Sequence, residues 1–169
     1  MTTVLYAQPY DLSAIGFYFE SAEEFAAKLQ ALKNAQGDPV EEFEIQFIDG
    51  KDVDAALVEA VHLHQHDPEG FFEKIDAWDD ADKQTIAIAV GECGYDFTWE
   101  KNEPGDFDVD LYRVDSLLEL AEMFVDEGLF GDIPERLQFY LDYNAIARDL
   151  SVEYVETTIA GERLVYRCG

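Results

Sequence analysis

The sequence predicts an α+β fold built from three consecutive segments whose patterns differ. Residues 1–60 mix short β-prone runs with helical periodicity, residues 61–103 are mainly helical, and residues 104–169 mix both patterns again. A chain of 169 residues has room for one ordinary domain or for a few small lobes. We therefore expect a small lobe of mixed sheet and helix, a helical lobe and a second α+β lobe, arranged in series.

The first segment opens with two short β-prone runs, TVLYAQ and GFYFE. A helix is expected over residues 21–37, because Ser21 and Glu24 have the spacing of a capping box and Gly37 is a typical helix stop.

The run EEFEIQFIDG then alternates apolar and acidic residues. Its apolar face carries Phe43, Ile45 and Phe47, and its other face carries Glu42 and Glu44. This period of two predicts a half-buried strand with an acidic outer surface.

Strand signals are absent from residue 52 to about residue 82, where three short runs have helical character: DVDAALVEAVHLH, DPEGFFEKIDAWDD and DDADKQTIAIAV. Pro68 follows Asp67 at a position that suits the first turn of a helix. The Pro- and Gly-containing run KNEPGD, residues 101–106, marks a boundary loop.

The last segment begins with FDVDLYRV, which predicts a strand. SLLELAEMFVDEG predicts a helix with a capping box at Ser116 and Glu119 and a stop at Gly128. DIPERLQFYL, with Asp132 as its cap, and DYNAIARDL predict two further short helices. The final run, SVEYVETTIAGERLVYR, predicts a hairpin around residues 160–161.

Charge is the property that bears most directly on function. The chain has 38 acidic and 11 basic residues, a net charge of −27. Self-repulsion at this density destabilises a compact state, since two charges about 6.7 Å apart repel by roughly 0.6 kcal/mol even in water. The apolar content of 48% and aromatic content of 14% exclude a disordered acidic tail. Free DNA and anionic membranes are disfavoured as partners, and a strongly basic groove is favoured.

The local spacing of the acids resembles that of phosphates. Alternate residues of a strand project from one face about 6.7 Å apart, which groups three acids of the predicted strand: Asp106, Asp108 and Asp110. Helical spacing of about 5–6 Å pairs Glu119 with Glu122, and Glu122 with Asp126. At one duplex charge per about 1.7 Å, a charge of −27 matches roughly 46 Å of DNA, or ~14 base pairs. These carboxylates could stand where phosphates stand.

The abundance of acids is also compatible with roles that involve no basic groove. An ordinary solvated surface needs no partner, and halophilic adaptation would predict unfolding at low salt. A calcium loop that starts at Asp106 would need Gly and Glu where the sequence has Leu111 and Leu117. His62 and His66 could bind zinc from one helix, but no third ligand is in register.

Catalytic motifs are absent: we find no Gly-rich phosphate loop, serine elbow or Cys–His signature. We therefore expect a protein that is not an enzyme and that has no cofactor and no metal site.

The start of the chain, MTTVLYAQPYDLS, lacks the features of a signal peptide, and no apolar run is long enough to span a membrane. Cys93 and Cys168 have no motif spacing. We expect a cytoplasmic protein with two unpaired thiols.

The last third of the chain contains the run LAEMFVDEGLFGDIPERLQFYLDYNAIARDLSVEYVETTIAGERLVYR, residues 120–167. This run resembles the ArdA family of antirestriction proteins, and DEGLFGDIPERLQFYLDYNAIARDL within it is similar to that family's antirestriction motif region. The earlier runs EFEIQFIDG and FFEKIDAWDD also resemble family segments. Chain length and acidity agree, so the resemblance covers nearly the whole chain.

The resemblance implies an elongated, three-lobed α+β protein that dimerises into a curved acidic rod and imitates bent B-form DNA. Family members come from plasmids, transposons, phages and related mobile genetic elements. The implied partner is a type I restriction-modification enzyme, whose methyltransferase core would be blocked competitively at its DNA-binding groove. The alternatives are an acidic DNA mimic that regulates a nucleoid or transcription protein, and a metal-binding acidic protein.

Two sets of site residues follow. The apolar residues of the motif region would lie near a dimer contact, with an intramolecular core as the alternative: Leu129, Phe130, Ile133, Pro134 and Leu137. The DNA-mimic surface would comprise acids from all three segments: Glu42, Glu44, Asp76, Asp79, Asp80, Asp106, Asp108, Asp110, Asp115, Glu119, Glu122, Asp126, Glu127, Asp132, Glu135, Asp142 and Asp149.

Overall fold

Seven helices and two three-stranded antiparallel sheets make up the chain, which confirms the α+β class. The computed structural model describes all of residues 1–169. The chain divides into two compact units, residues 1–107 and residues 108–169, and each unit contains one of the sheets. The subdivision into three lobes in series stays a prediction.

The sheet of the first unit contains β1 (Val4–Pro9), β2 (Phe17–Phe19) and β3 (Phe43–Asp49), in the order β2-β1-β3. Leu5 and Ala7 on β1 are fully buried and alternate with half-exposed neighbours. This alternation is what a sheet with one face on the core requires. All three strands predicted for this part of the chain are confirmed.

The helices of the first unit are α1 (Ala22–Ala31), α2 (Asp52–Val61), α3 (Pro68–Ala77) and α4 (Asp80–Gly91). The three helices predicted for the centre of the chain are therefore confirmed. Their local signals were strong, because each has an acidic first turn that complements the helix dipole.

Helix α1 ends at Ala31 rather than at the predicted stop, Gly37. The side-chain oxygen of Asn34 accepts hydrogen bonds from the backbone N–H groups of Gln36, at 3.0 Å, and Asp38, at 2.9 Å. These bonds offer the backbone a turn in place of further helix, so the predicted helix was too long.

One hydrophobic core serves the first unit, and it joins residues from the first two predicted segments. Phe19 and Phe71 are fully buried in it. The rings of Trp78 and Trp99 stack beside them with centroids 6.1 Å apart. Gly70 lies so close to Trp99 that a Cβ atom at this position would overlap the indole side chain. The packing of Trp99 against α3 therefore requires glycine here.

An ion pair is buried at the edge of this core. Nζ of Lys83 on α4 lies 2.7 Å from Oδ1 of Asp54 on α2, and both residues are almost completely buried. Oγ1 of Thr3 donates a hydrogen bond of 3.0 Å to Oδ2 of the same carboxylate. The pair links two helices to the chain segment that precedes β1.

The second unit contains three strands and three helices, in chain order β4 (Val109–Tyr112), α5 (Leu117–Asp126), α6 (Glu135–Gln138), α7 (Tyr143–Leu150), β5 (Val155–Ile159) and β6 (Glu162–Cys168). The strand order is β4-β6-β5. A separate small core fills this unit, with its buried members contributed by all parts of the segment: Val114, Leu120, Phe124, Tyr154 and Val165.

Local capping signals set the ends of two of these helices. Oγ of Ser116 accepts a hydrogen bond of 3.2 Å from the backbone N–H of Glu119, and Gly128 adopts a positive φ of 77° just beyond α5. The carboxylate of Asp142 caps α7 in the same way, by accepting from Ala145 N at 3.0 Å. The predicted start and stop of α5 are confirmed.

The helix predicted over residues 132–141 is wrong in its extent, because α6 has only four residues, from Glu135 to Gln138. Asp132 is not its cap. Pro134 precedes the helix, and a proline restricts the residue before it to extended conformations. Ile133 is therefore kept out of the helix, and Pro134 with a ψ of 135° is itself extended, so the helix begins at Glu135.

The predicted hairpin at residues 160–161 is confirmed. Ala160 and Gly161 connect β5 to β6, with φ values of 52° and 78°. Two consecutive positive φ values are the mark of a type I′ turn, whose twist matches that of the flanking strands.

The structure contains no free cysteine, so the expectation of two unpaired thiols was wrong. The spacing of two cysteines along a chain does not determine whether they are oxidised.

None of the helices has the length and apolar character needed to cross a bilayer.

Candidate acidic binding surface

The predicted acids lie at the surface of the two units. Sixteen of the seventeen are exposed, and the exception is Asp110, which is half-buried. The carboxylates among them that take part in local hydrogen bonds or ion pairs include Asp79, Asp80, Asp106, Asp110, Glu119 and Asp142. Exposure of this kind is necessary for a surface that presents carboxylates to a partner.

Few of the acidic side chains are neutralised within the chain. Ion pairs with lysine or arginine engage eight of the 38 acids and use seven of the 11 basic residues. Most carboxylates therefore keep an uncompensated charge. Summed over a surface, such charges produce a strongly negative potential that attracts basic partners.

The predicted row of Asp106, Asp108 and Asp110 along one strand face is wrong. Strand β4 begins only at Val109. Asp106 lies in a short 3₁₀ turn, where its carboxylate accepts a hydrogen bond of 2.8 Å from the backbone N–H of Glu103. A carboxylate that caps a turn is not free to follow the spacing of a strand.

Asp110 itself is paired. Nε of Arg167 on β6 donates a hydrogen bond of 2.9 Å to its Oδ2. This hydrogen bond is the main reason why the pKa of Arg167 is raised above its ordinary value. The guanidinium also lies over the ring of Tyr154, 5.1 Å from its centroid. Asp110 thus contributes less charge to the surface than the sequence suggested.

The predicted acids of α5 are placed as expected on the solvent side. Glu119, Glu122 and Asp126 are exposed along one helix. Glu119 also accepts a hydrogen bond of 2.9 Å from Asp115 N, which completes the cap of the helix. The helical spacing that pairs these carboxylates is therefore real.

The first unit has an acidic groove that the sequence did not predict. The groove has a volume of about 360 Å³ and lies between the N-terminus of α1 and one face of α3. Phe72 contributes an apolar surface to it. Five carboxylates line it: Glu20, Glu23, Glu69, Glu73 and Asp76.

Only Asp76 of these five was predicted. The spacing of Glu69, Glu73 and Asp76 at four and then three residues could have identified an acidic stripe on α3. The contribution of Glu20 and Glu23 could not be found in this way, because they come from a segment about 50 residues earlier in the chain.

The chemistry of this groove suits basic side chains. A lysine or arginine can lay its apolar stem on an aromatic ring while its charged head meets carboxylates.

No group of three or more His, Cys, Asp or Glu side chains in the chain is arranged to hold a metal ion. His62 adopts a left-handed conformation that ends α2, so His62 and His66 do not share a helix as predicted.

Two further acids, Glu103 and Glu24, are held by basic residues of their own unit. Glu103 accepts hydrogen bonds from Nζ of Lys74 and, at 2.8 Å, from the indole N–H of Trp78, and these bonds lower its pKa. Glu24 has its pKa lowered mainly by the hydrogen bond from Lys28, at 2.6 Å. Both carboxylates stabilise their own unit.

The predicted dimer residues form an exposed apolar segment. Leu129, Phe130 and Leu137 are exposed, which rules out the alternative that these three belong to an intramolecular core. Ile133 is half-buried and Pro134 is exposed. Phe139 and Tyr140 in the same segment are 93% and 84% exposed and were not predicted. We call residues 128–141 the apolar segment.

Residues 15–162 match the family model described as antirestriction protein (ArdA). None of the curated proteins matches the sequence.

Proposed function

This chain belongs to the ArdA family of antirestriction proteins, and we propose that it blocks a type I restriction-modification enzyme by occupying the DNA-binding groove of that enzyme. It does so without catalysis, by presenting carboxylates at the positions where the enzyme binds the phosphates of DNA. Its site of action is the cytoplasm, where the enzyme meets incoming DNA from a mobile element.

The observation that carries this proposal is the exposed and largely unneutralised carboxylate surface. Ion pairs with lysine or arginine hold eight of the 38 acids, and most of the others carry charge that is available to the Lys and Arg residues of a DNA channel. The acidic groove adds a place where such a side chain can lay its stem. The binding free energy is distributed over many weak contacts rather than concentrated at one residue.

Salt dependence tests this electrostatic mechanism. We expect the affinity for the purified methyltransferase core to fall by at least about tenfold between roughly 50 and 200 mM salt, because ions screen and compete with the pairing. Isothermal titration across a salt series measures it, with circular dichroism to show that the protein stays folded. An affinity that does not change with salt would contradict the mechanism, and unfolding at low salt would favour halophilic adaptation.

We further propose that two copies associate through the apolar segment. It carries only Asp132, Glu135 and Arg136 as charged residues, so it is less repulsive than the rest of the chain. Replacing exposed Leu129 and Leu137 with serine is expected to convert a dimer to a monomer without unfolding it. Sedimentation at micromolar concentrations measures this, and a wild-type chain that sediments as a monomer would refute the proposal.

A further inference from the structure

The loop between β1 and β2 exposes three of its large apolar side chains. Leu12 and Ile15 are 95% and 82% exposed, and Tyr10 is 64% exposed. Single exposed apolar residues are common on protein surfaces and need no explanation. Three within six residues of one short loop form a patch, which we call the apolar loop (residues 10–16).

Hydrogen bonds among polar side chains fix the start of this loop. The carboxylate of Asp11 accepts hydrogen bonds from N and Oγ of Ser13, at 2.9 and 2.7 Å, and from Nδ2 of Asn34, at 3.1 Å. The bonds from Ser13 contribute most to a lowered pKa of Asp11, so the carboxylate is ionised and holds the loop at neutral pH. Oγ of Ser13 in turn accepts from Ala35 N at 3.2 Å.

The far end of the loop is fixed by packing. A Cβ atom at Gly16 would overlap the carbonyl oxygen of Ala7 and the phenol of Tyr6. Only glycine therefore fits at this position, where the chain enters β2. The apolar loop is therefore held in one conformation at both ends. A rigid loop loses little conformational entropy on binding, which favours its use as a recognition element.

The charges around the loop decide what kind of surface covers it. The backbone N–H of Tyr10 bonds to the carbonyl oxygen of Glu42, at 3.1 Å, and the side chains of Glu41 and Glu42 are exposed. A second copy of the chain would bring the same acids and the same net charge of −27 to the contact. A complementary surface combines an apolar recess with a basic rim.

We propose that the apolar loop inserts Leu12 and Ile15 into an apolar recess beside the basic DNA-binding surface of the enzyme that the chain inhibits. This inference rests on the proposed function. Strand β2 separates the loop from the acidic groove, so Gly16 and Glu20 are about 13 Å apart along the extended chain. The loop and the groove therefore lie at opposite ends of one short strand of the same unit. The loop adds contacts that DNA itself does not make.

The test uses the full chain with Leu12→Ser and Ile15→Ser combined, titrated against the methyltransferase core over the same salt series. Both positions are exposed, so folding is expected to stay intact. Loss of two buried aliphatic contacts should raise Kd by roughly tenfold to a hundredfold at every salt concentration. The slope of log Kd against log salt should not change, because no charge is altered. Val152→Ser, which removes an apolar residue that is 85% exposed elsewhere in the chain, is the matched control and should have no effect.

The outcomes separate this inference from the function on which it rests. If wild type binds the core and the double variant binds equally well at all salt concentrations, the apolar loop is not a contact, although the electrostatic mechanism stands. If the wild-type chain does not bind the core at all, the proposed function is wrong, and the inference that rests on it is overturned as well. If the double variant changes the sedimentation of the free chain, the loop contacts a second copy, and the inference is overturned.

Discussion

Replacing Lys83 with methionine is expected to lower the free energy of unfolding by about 3–5 kcal/mol, because it leaves a buried charge without its partner. Lys83 and Asp54 are 2% and 3% exposed, with Nζ and Oδ1 at 2.7 Å. Without the ammonium group, the carboxylate of Asp54 keeps only the hydrogen bond from Thr3. That single neutral donor cannot offset the desolvation of a carboxylate.

Two control variants make this prediction specific to an unpaired buried charge. The double variant Asp54→Leu, Lys83→Met removes both charges and should recover most of the lost stability, because similar apolar volume replaces the pair. Lys51→Met removes an exposed pair with Asp80, at 3.7 Å, and should cost less than about 1 kcal/mol. Urea unfolding measures all three. A Lys83→Met chain within about 1 kcal/mol of wild type would contradict this account.

Neutralising the acidic groove is expected to lower the affinity of this chain for the methyltransferase core far more than any single substitution in the groove. The combined variant changes five carboxylates to amides: Glu20→Gln, Glu23→Gln, Glu69→Gln, Glu73→Gln and Asp76→Asn. Each exposed pairing contributes about 0.2–1 kcal/mol. Five together correspond to about 1–5 kcal/mol, or roughly fivefold to a few thousandfold in Kd.

The matched control carries the same change in charge on the same unit. It replaces five exposed acids that do not line the groove: Asp52, Glu59, Glu92, Asp96 and Glu100. If the groove receives basic side chains, the groove variant loses clearly more affinity for the methyltransferase core than the control at one salt concentration. Equal losses would show that total charge, and not the groove, sets the affinity.

Features with a local signal could be predicted from the sequence. The cap of α5 at Ser116, its stop at Gly128 and the hairpin at residues 160–161 were all found, because capping and turn chemistry act over a few residues. The three central helices were found for the same reason. Errors in extent came from competing local bonds, such as the Asn34 turn that ends α1 early.

Features that depend on distant parts of the chain could not be predicted. Lys83 has the sequence context of an exposed helix position, and only the packing of α4 against α2 buries it beside Asp54. The acidic groove joins residues from α3 with residues near the start of α1. The apolar loop was missed because a local pattern does not show whether the apolar residues of a loop face the core or the solvent, whereas Leu12 and Ile15 are 95% and 82% exposed.

We propose that this chain takes the place of DNA on a type I restriction-modification enzyme. Displacement of a labelled duplex from the purified methyltransferase core by the unlabelled protein tests it most directly. We expect stoichiometric displacement at low salt that weakens as salt is raised. A DNA complex that persists at saturating concentrations of folded protein would contradict it, and the partner would then have to be sought among nucleoid and transcription proteins.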